Sequence, residues 1–169
     1  EAVRGHHLQI ALAQELDLPL FRRKINFTNF VEGWGLYAER LASDLGWYEN
    51  DIYGDLGRLQ FEAMRAARLV IDTGIHSKGW SFSQADAFAI ANNGYAGSTA
   101  RYSVWPGQAT AYSTGMLKLL ELRQRAQTQL GDAYDIKEFH SEVVGRGSMP
   151  LNILEGVIDD YIAEKLSQP

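Results

Sequence analysis

Apolar residues recur every three or four positions along most of this chain, while strict alternation bounded by hairpin turns occurs nowhere in it. That rhythm admits helices and excludes a sheet. Phe30, Trp34, Tyr37, Leu41 and Leu45 form one stripe, with Thr28 or Asn29 placed to cap its start and Gly46 to end it. Ile52, Leu56, Leu59, Ala63, Ala66 and Val70 form the next, ending near Gly74. Ser81 or Ser83 can open a short helix through Ala91, stopped by Asn92-Asn93-Gly94, and Pro106-Gly107 marks a sharp entry into a long helix over about 108–130. A short helix over 136–144 follows. Pro150 suits a first helical turn, and Leu151, Leu154, Val157, Ile158, Tyr161, Ile162 and Leu166 complete a C-terminal stripe. An apolar-periodic segment also follows His6-His7. The pattern predicts an all-α domain of six to seven helices over residues 1–169, with no internal repeat or long linker.

The 169 residues suffice for one buried core. A net charge of -5 with scattered basic residues argues against nucleic acid, which needs a concentrated basic surface. Arg22-Arg23-Lys24 is the one basic cluster, and it reads as a solvated bend. The chain has no cysteine, which excludes disulfides, thiolate zinc sites and cysteine nucleophiles. No apolar run reaches the length of a membrane span.

Chemistry concentrates at the start, in Glu1-Ala2-Val3-Arg4-Gly5-His6-His7-Leu8-Gln9. Imidazoles hold a divalent cation and a nearby carboxylate can take a proton from water, the parts of a metal-assisted hydrolase. Glu32 and Glu39 lie two helical turns apart on one face, opposite the Phe30/Trp34/Leu41 stripe. They read either as a solvated face or as the carboxylates that a His6 or His7 site would need from a second helix. Gly33-Trp34-Gly35-Leu36-Tyr37-Ala38 matches a dinucleotide fingerprint, but no strand precedes it. Its glycines better serve close approach of a neighbouring helix or a ligand. His76 reads by itself as a cap for a helix ending just before it, and His140 as a satisfied, partly buried histidine. Arg101, Tyr102 and Tyr112 flank Pro106-Gly107-Gln108; an arginine can hold a carboxylate and a tyrosine can donate to an oxyanion.

Several of these segments together resemble a bacterial family of unknown function, DUF885. The first nine residues resemble its H-E-x-x-P-G-H-H-L-Q signature, and Glu32-Gly33-Trp34-Gly35-Leu36-Tyr37-Ala38-Glu39 resembles its E-G-W-x-x-Y-x-E segment. Asp72 to His76 with Gly79-Trp80-Ser81 fits in the same order. So do Arg101-Tyr102 with Pro106-Gly107-Gln108-Ala109 and Tyr112, and Phe139-His140 with Gly147 and Pro150-Leu151. The family is similar to gluzincin-type zinc peptidases. The resemblance implies the C-terminal part of a larger helical metallopeptidase-like fold, acting on a peptide or small amide substrate with zinc as cofactor. It implies Glu1 as the general base for a metal-activated water, His6 or His7 together with Glu32 as metal ligands, and Glu39 orienting a ligand imidazole. Tyr112 or Tyr102 would stabilise the oxyanion, and His76 and Arg101 would bind substrate.

Two departures bear on that picture. No histidine precedes Glu1, and Arg4 stands where the family has proline. Without a first histidine ligand the chain by itself is expected to be inactive, a fragment whose partner is the preceding part of the same protein. Apolar surface left open by that loss is expected to favour self-association. Bacteria often place such peptidases in the envelope, and these residues leave both envelope and cytoplasm open. The rival readings are a non-enzymatic helical interaction module, and a metal-dependent amidase or esterase on a non-peptide substrate.

Overall fold

The structure is a computed structural model and describes residues 5–167. Among them are nine α-helices, one 3-10 turn at Gly131–Ala133 and no strand, so the all-α expectation holds. The helices are α1 (Gly5–Glu15), α2 (Leu20–Lys24), α3 (Thr28–Asp44), α4 (Ile52–Lys78), α5 (Phe82–Asn93), α6 (Thr99–Val104), α7 (Ala111–Leu130), α8 (Ile136–Val144) and α9 (Leu151–Ser167). The count exceeds six to seven because α2 and α6 are too short to display a periodic stripe.

Two glycines bring the central helices together. A Cβ on Gly33 of α3 would lie 2.5 Å from the Cα of Gly115 on α7, so the two backbones touch with no side chain between them. Around that contact Phe30, Trp34, Tyr37 and Leu41 of α3 pack with Leu119 and Leu122 of α7, Phe139 and Val143 of α8, and Leu154 and Ile158 of α9. A second, smaller cluster joins Ile71 of α4 to Ala85 and Ala89 of α5, Tyr102 of α6 and Ala109.

Local signals explain most boundaries. Asp51 caps α4 through the Gly54 N–H, Ser81 forms a reciprocal capping box with Gln84, and Asp135 accepts the N–H groups of Lys137 and Glu138. Other boundaries differ from expectation. The N-cap of α3 is Phe27, whose side chain caps nothing; its own N–H donates to Ser148 Oγ at 2.9 Å instead. Helix α7 starts at Ala111, because residues 106–110 form a turn with Gly107 in the left-handed region at φ 82°. Helix α4 continues past Gly74 and stops at Gly79, whose φ is 69°. Gly74 is there for packing: the Trp80 ring covers it where a Cβ would stand.

The stripe Ile52, Leu56, Leu59, Ala63, Ala66 and Val70 is a further correction, since all six residues are exposed. The face that α4 buries carries Ala67, Arg68, Ile71, Asp72 and Gly74. Two of those five are charged, because this face meets a polar site as well as the smaller apolar cluster around Ile71. Among the described residues no helix is long and apolar enough to cross a membrane.

Candidate functional site

His6 stands in the first turn of α1. Gly5 adopts φ 44°, and its carbonyl accepts the Trp34 indole N–H at 2.9 Å, which ties the start of α1 to α3. The imidazole then lies over Gly35: a Cβ there would come within 2.7 Å of both Cε1 and Nε2 of His6. This places His6 Nε2 3.3 Å from Glu32 Oε2, with 44% of the histidine side chain and 20% of the glutamate side chain exposed. His7, one residue on and therefore turned about 100° around the helix, is exposed and makes no hydrogen bond among the described residues. Of the two histidines, His6 is the one that meets Glu32.

The second oxygen of Glu32 is held from α7 and the turn that precedes it. Tyr112 donates its hydroxyl to Oε1 at 2.9 Å, and the Gln108 amide nitrogen donates to the same atom at 3.2 Å. The amide is oriented by Arg68, whose guanidinium donates to Gln108 Oε1 at 3.1 Å. Arg68 is buried, with its guanidinium carbon 4.6 Å from the Tyr112 ring centroid and 5.3 Å from that of Tyr102. Ring faces and an amide oxygen stand in for water around this cation. The turn that carries Gln108 is fixed in the same way, for the buried Asp72 accepts the Gly107 N–H on both oxygens at 3.1 and 3.2 Å. Asp72 and Gln108 stand in the family-like segments without a role read for them, and Arg68 escapes a reading of the sequence altogether. The available hints were a glutamine four residues before Tyr112 and a charged pair four apart on the inner side of α4.

The donor set can be tested against zinc. Two ligand atoms at 2.0–2.1 Å from a tetrahedral zinc stand about 3.3 Å apart, which is the spacing of His6 Nε2 and Glu32 Oε2. The same spacing suits a direct ion pair. A catalytic site uses three protein ligands, and the described residues contain no group of three His, Cys, Asp or Glu able to hold a metal. His6 and Glu32 thus fit as two ligands of a larger set. Glu1 lies outside the described residues.

The other expected residues fall elsewhere. Glu39 receives a bidentate grip from Arg65 at 2.9 and 3.2 Å; burial raises its carboxyl pKa, against the opposing pull of Arg65 and then of His6. His76 is inside α4, not beyond its end, and its Nε2 donates to the Tyr102 carbonyl at 2.9 Å. Tyr102 is buried in the second cluster, and Arg101 is exposed with its guanidinium carbon 5.3 Å from the Trp105 ring centroid. Arg101 and Tyr102 line a cavity of about 220 Å³ that Arg68 shares. Glu32 and Gln108 open instead on a larger cleft of about 570 Å³, whose wall includes Trp105, Phe30, Arg23 and Lys24. His140 is bonded to the Tyr37 hydroxyl at 2.8 Å and meets Trp34 edge-on, the satisfied histidine that its setting suggested.

Comparison with known proteins adds three findings. The family described as bacterial protein of unknown function (DUF885) matches residues 1–158. No curated protein matches the chain. A solved structure, "The crystal structure of the putative lipoprotein from Colwellia psychrerythraea", superposes with a TM-score of 0.92 at 45% identity, over 97% of this chain and 29% of that one. The chain therefore spans less than a third of the length of that structure.

Proposed function

Because the chain belongs to the DUF885 family, we propose that it carries part of the active site of a zinc peptidase, with His6 and Glu32 as two of the metal ligands. The observation that carries this reading is the convergence of His6 Nε2 and Glu32 Oε2 at 3.3 Å, with Glu32 on the wall of a cleft and its other oxygen held by Tyr112 and Gln108. Zinc held there would supply Lewis acidity toward the scissile carbonyl and toward water. Glu1 takes the proton of the attacking water and passes it to the leaving amine. Tyr112 and Gln108 occupy Glu32 Oε1, which leaves Oε2 facing His6. In this arrangement the Tyr112 hydroxyl positions Glu32, and it would stabilise an oxyanion only after leaving that bond. Arg65 holds both oxygens of Glu39, which makes no hydrogen bond to His6 among the described residues.

The substrate class is a peptide or related amide, and the likeness to a protein described as a lipoprotein supports a place in the bacterial envelope. A second reading, a non-enzymatic interaction module, draws on the exposed stripe of α4. Zinc content separates the two. It is measured on the 169-residue chain and on a longer one that includes the residues preceding Glu1 in the whole protein. The expected result is stoichiometric zinc in the longer chain, lost in His6→Ala and in Glu32→Ala, together with hydrolysis of a peptide library. Zinc in neither chain would sink the peptidase reading. Zinc with activity confined to small amides or esters would reassign the substrate.

A further inference from the structure

The basic cluster that reads as a solvated bend in the sequence lies on the wall of the Glu32 cleft. Arg23 and Lys24 line it, and Glu32 is the one carboxylate among the described residues of that wall. Neither cation forms an ion pair among the described residues, whereas Arg40, Arg58, Arg65, Arg123, Arg125 and Arg146 all do.

Their backbone is anchored. The neighbouring Arg22 turns the other way and donates to the Arg146 carbonyl at 2.9 Å, and Phe27 N–H donates to Ser148 Oγ at 2.9 Å. Leu18 packs over Gly147, where a Cβ would come within 2.8 Å of its Cδ1 and where φ is 75°. Helix α2 is thus pinned to the link between α8 and α9 on both sides of Arg23 and Lys24. The lining also carries apolar side chains, Ile10, Phe30, Val31 and Val144.

Cations on an anchored edge, apolar lining and a candidate metal-ligating carboxylate in one cleft of about 570 Å³ describe a site for a short chain with a negative group. Resting on the peptidase reading above, we infer that the substrate is a peptide bound through a carboxylate by Arg23 and Lys24, with its neighbouring side chain against the apolar lining. That carboxylate is either the C-terminus of the peptide, which would make the enzyme a C-terminal exopeptidase, or an acidic side chain.

The test is direct binding to the metal-free full-length protein by calorimetry, with zinc stoichiometry measured on a portion of each preparation before the metal is removed. The probes are one apolar hexapeptide as free acid and as C-terminal amide, and the amide again with one glutamate or one glutamine. The free acid is expected to bind roughly tenfold tighter than the neutral amide, as suits charge-assisted bonds at a half-exposed site, and the advantage should shrink with salt. Arg23→Ala with Lys24→Ala, both exposed positions, should abolish the difference without changing zinc content. If the glutamate amide alone regains the affinity, the carboxylate is a side chain. Equal binding of all four peptides, no binding of any, or an acid preference that survives the double substitution overturns the inference. Loss of zinc with the preference intact counts against the peptidase reading alone.

Discussion

Gly35 is the smallest residue with the most specific consequence. Alanine is favoured over glycine inside a helix by roughly 1 kcal/mol, yet a Cβ there would stand 2.7 Å from the His6 ring. Because the ring is the far end of a flexible side chain, it can swing away and leave the fold unharmed. Gly35→Ala is therefore expected to keep or raise the melting temperature while zinc affinity falls, a separation read by thermal melts and metal titration on the same protein. A parallel loss of both would show that Gly35 serves the core instead. His140 makes a prediction at the same scale. Burial, helped by Arg123, holds its pKa at about 4 against an ordinary 6.5. The unfolded chain therefore takes up a proton on that imidazole below about pH 6.5 while the folded chain stays neutral until about pH 4. Stability should fall as pH drops through that window. Denaturant titrations at pH 7 and pH 5 should show a smaller difference for His140→Gln than for the native chain.

At the scale of helices, the contact between α3 and α7 has no slack. Gly33 and Gly115 meet backbone to backbone, so a methyl group on either must push the helices apart. Gly33→Ala is expected to destabilise by about 1–3 kcal/mol, the usual range for overpacking, despite the gain in helix propensity. It should also weaken the Glu32 site, because Tyr112 and Gln108 reach Glu32 across this same interface. Urea denaturation together with zinc titration checks both, and unchanged stability would mean the helices can separate freely. Glycines two residues apart on one helix thus carry different duties, Gly33 toward a helix and Gly35 toward a side chain.

The whole molecule presents an apolar flank. Ile52, Tyr53, Leu56 and Leu59 are 78%, 83%, 60% and 48% exposed, all in the first turns of α4. Apolar surface of that kind drives association. The 169-residue chain in isolation is expected to self-associate with rising concentration, and Leu56→Glu with Leu59→Glu should restore the monomer in light scattering. A chain that stays monomeric at high concentration would argue against it.

The all-α class followed from the sequence by itself, since a 3.6-residue rhythm can bury one face only in a helix. Two spans did too: Ser81 caps the start of α5, and α8 runs over Ile136–Val144 as its pattern predicts. The residues of the first nine and the Glu32 segment also pointed to one chemistry without coordinates. Tertiary structure decided the rest, because burial and partner choice depend on what a helix meets. Periodicity identified the apolar stripe of α4 but not that it faces outward, while the polar face with Arg68 and Asp72 turns in. Nor does local sequence distinguish His6 from His7, or a solvated Arg23-Lys24 bend from a cleft wall. Those distinctions arise from contacts between residues distant in the chain: Gly35 under His6, Gln108 on Glu32, and Arg146 and Ser148 holding the segment that carries the two cations.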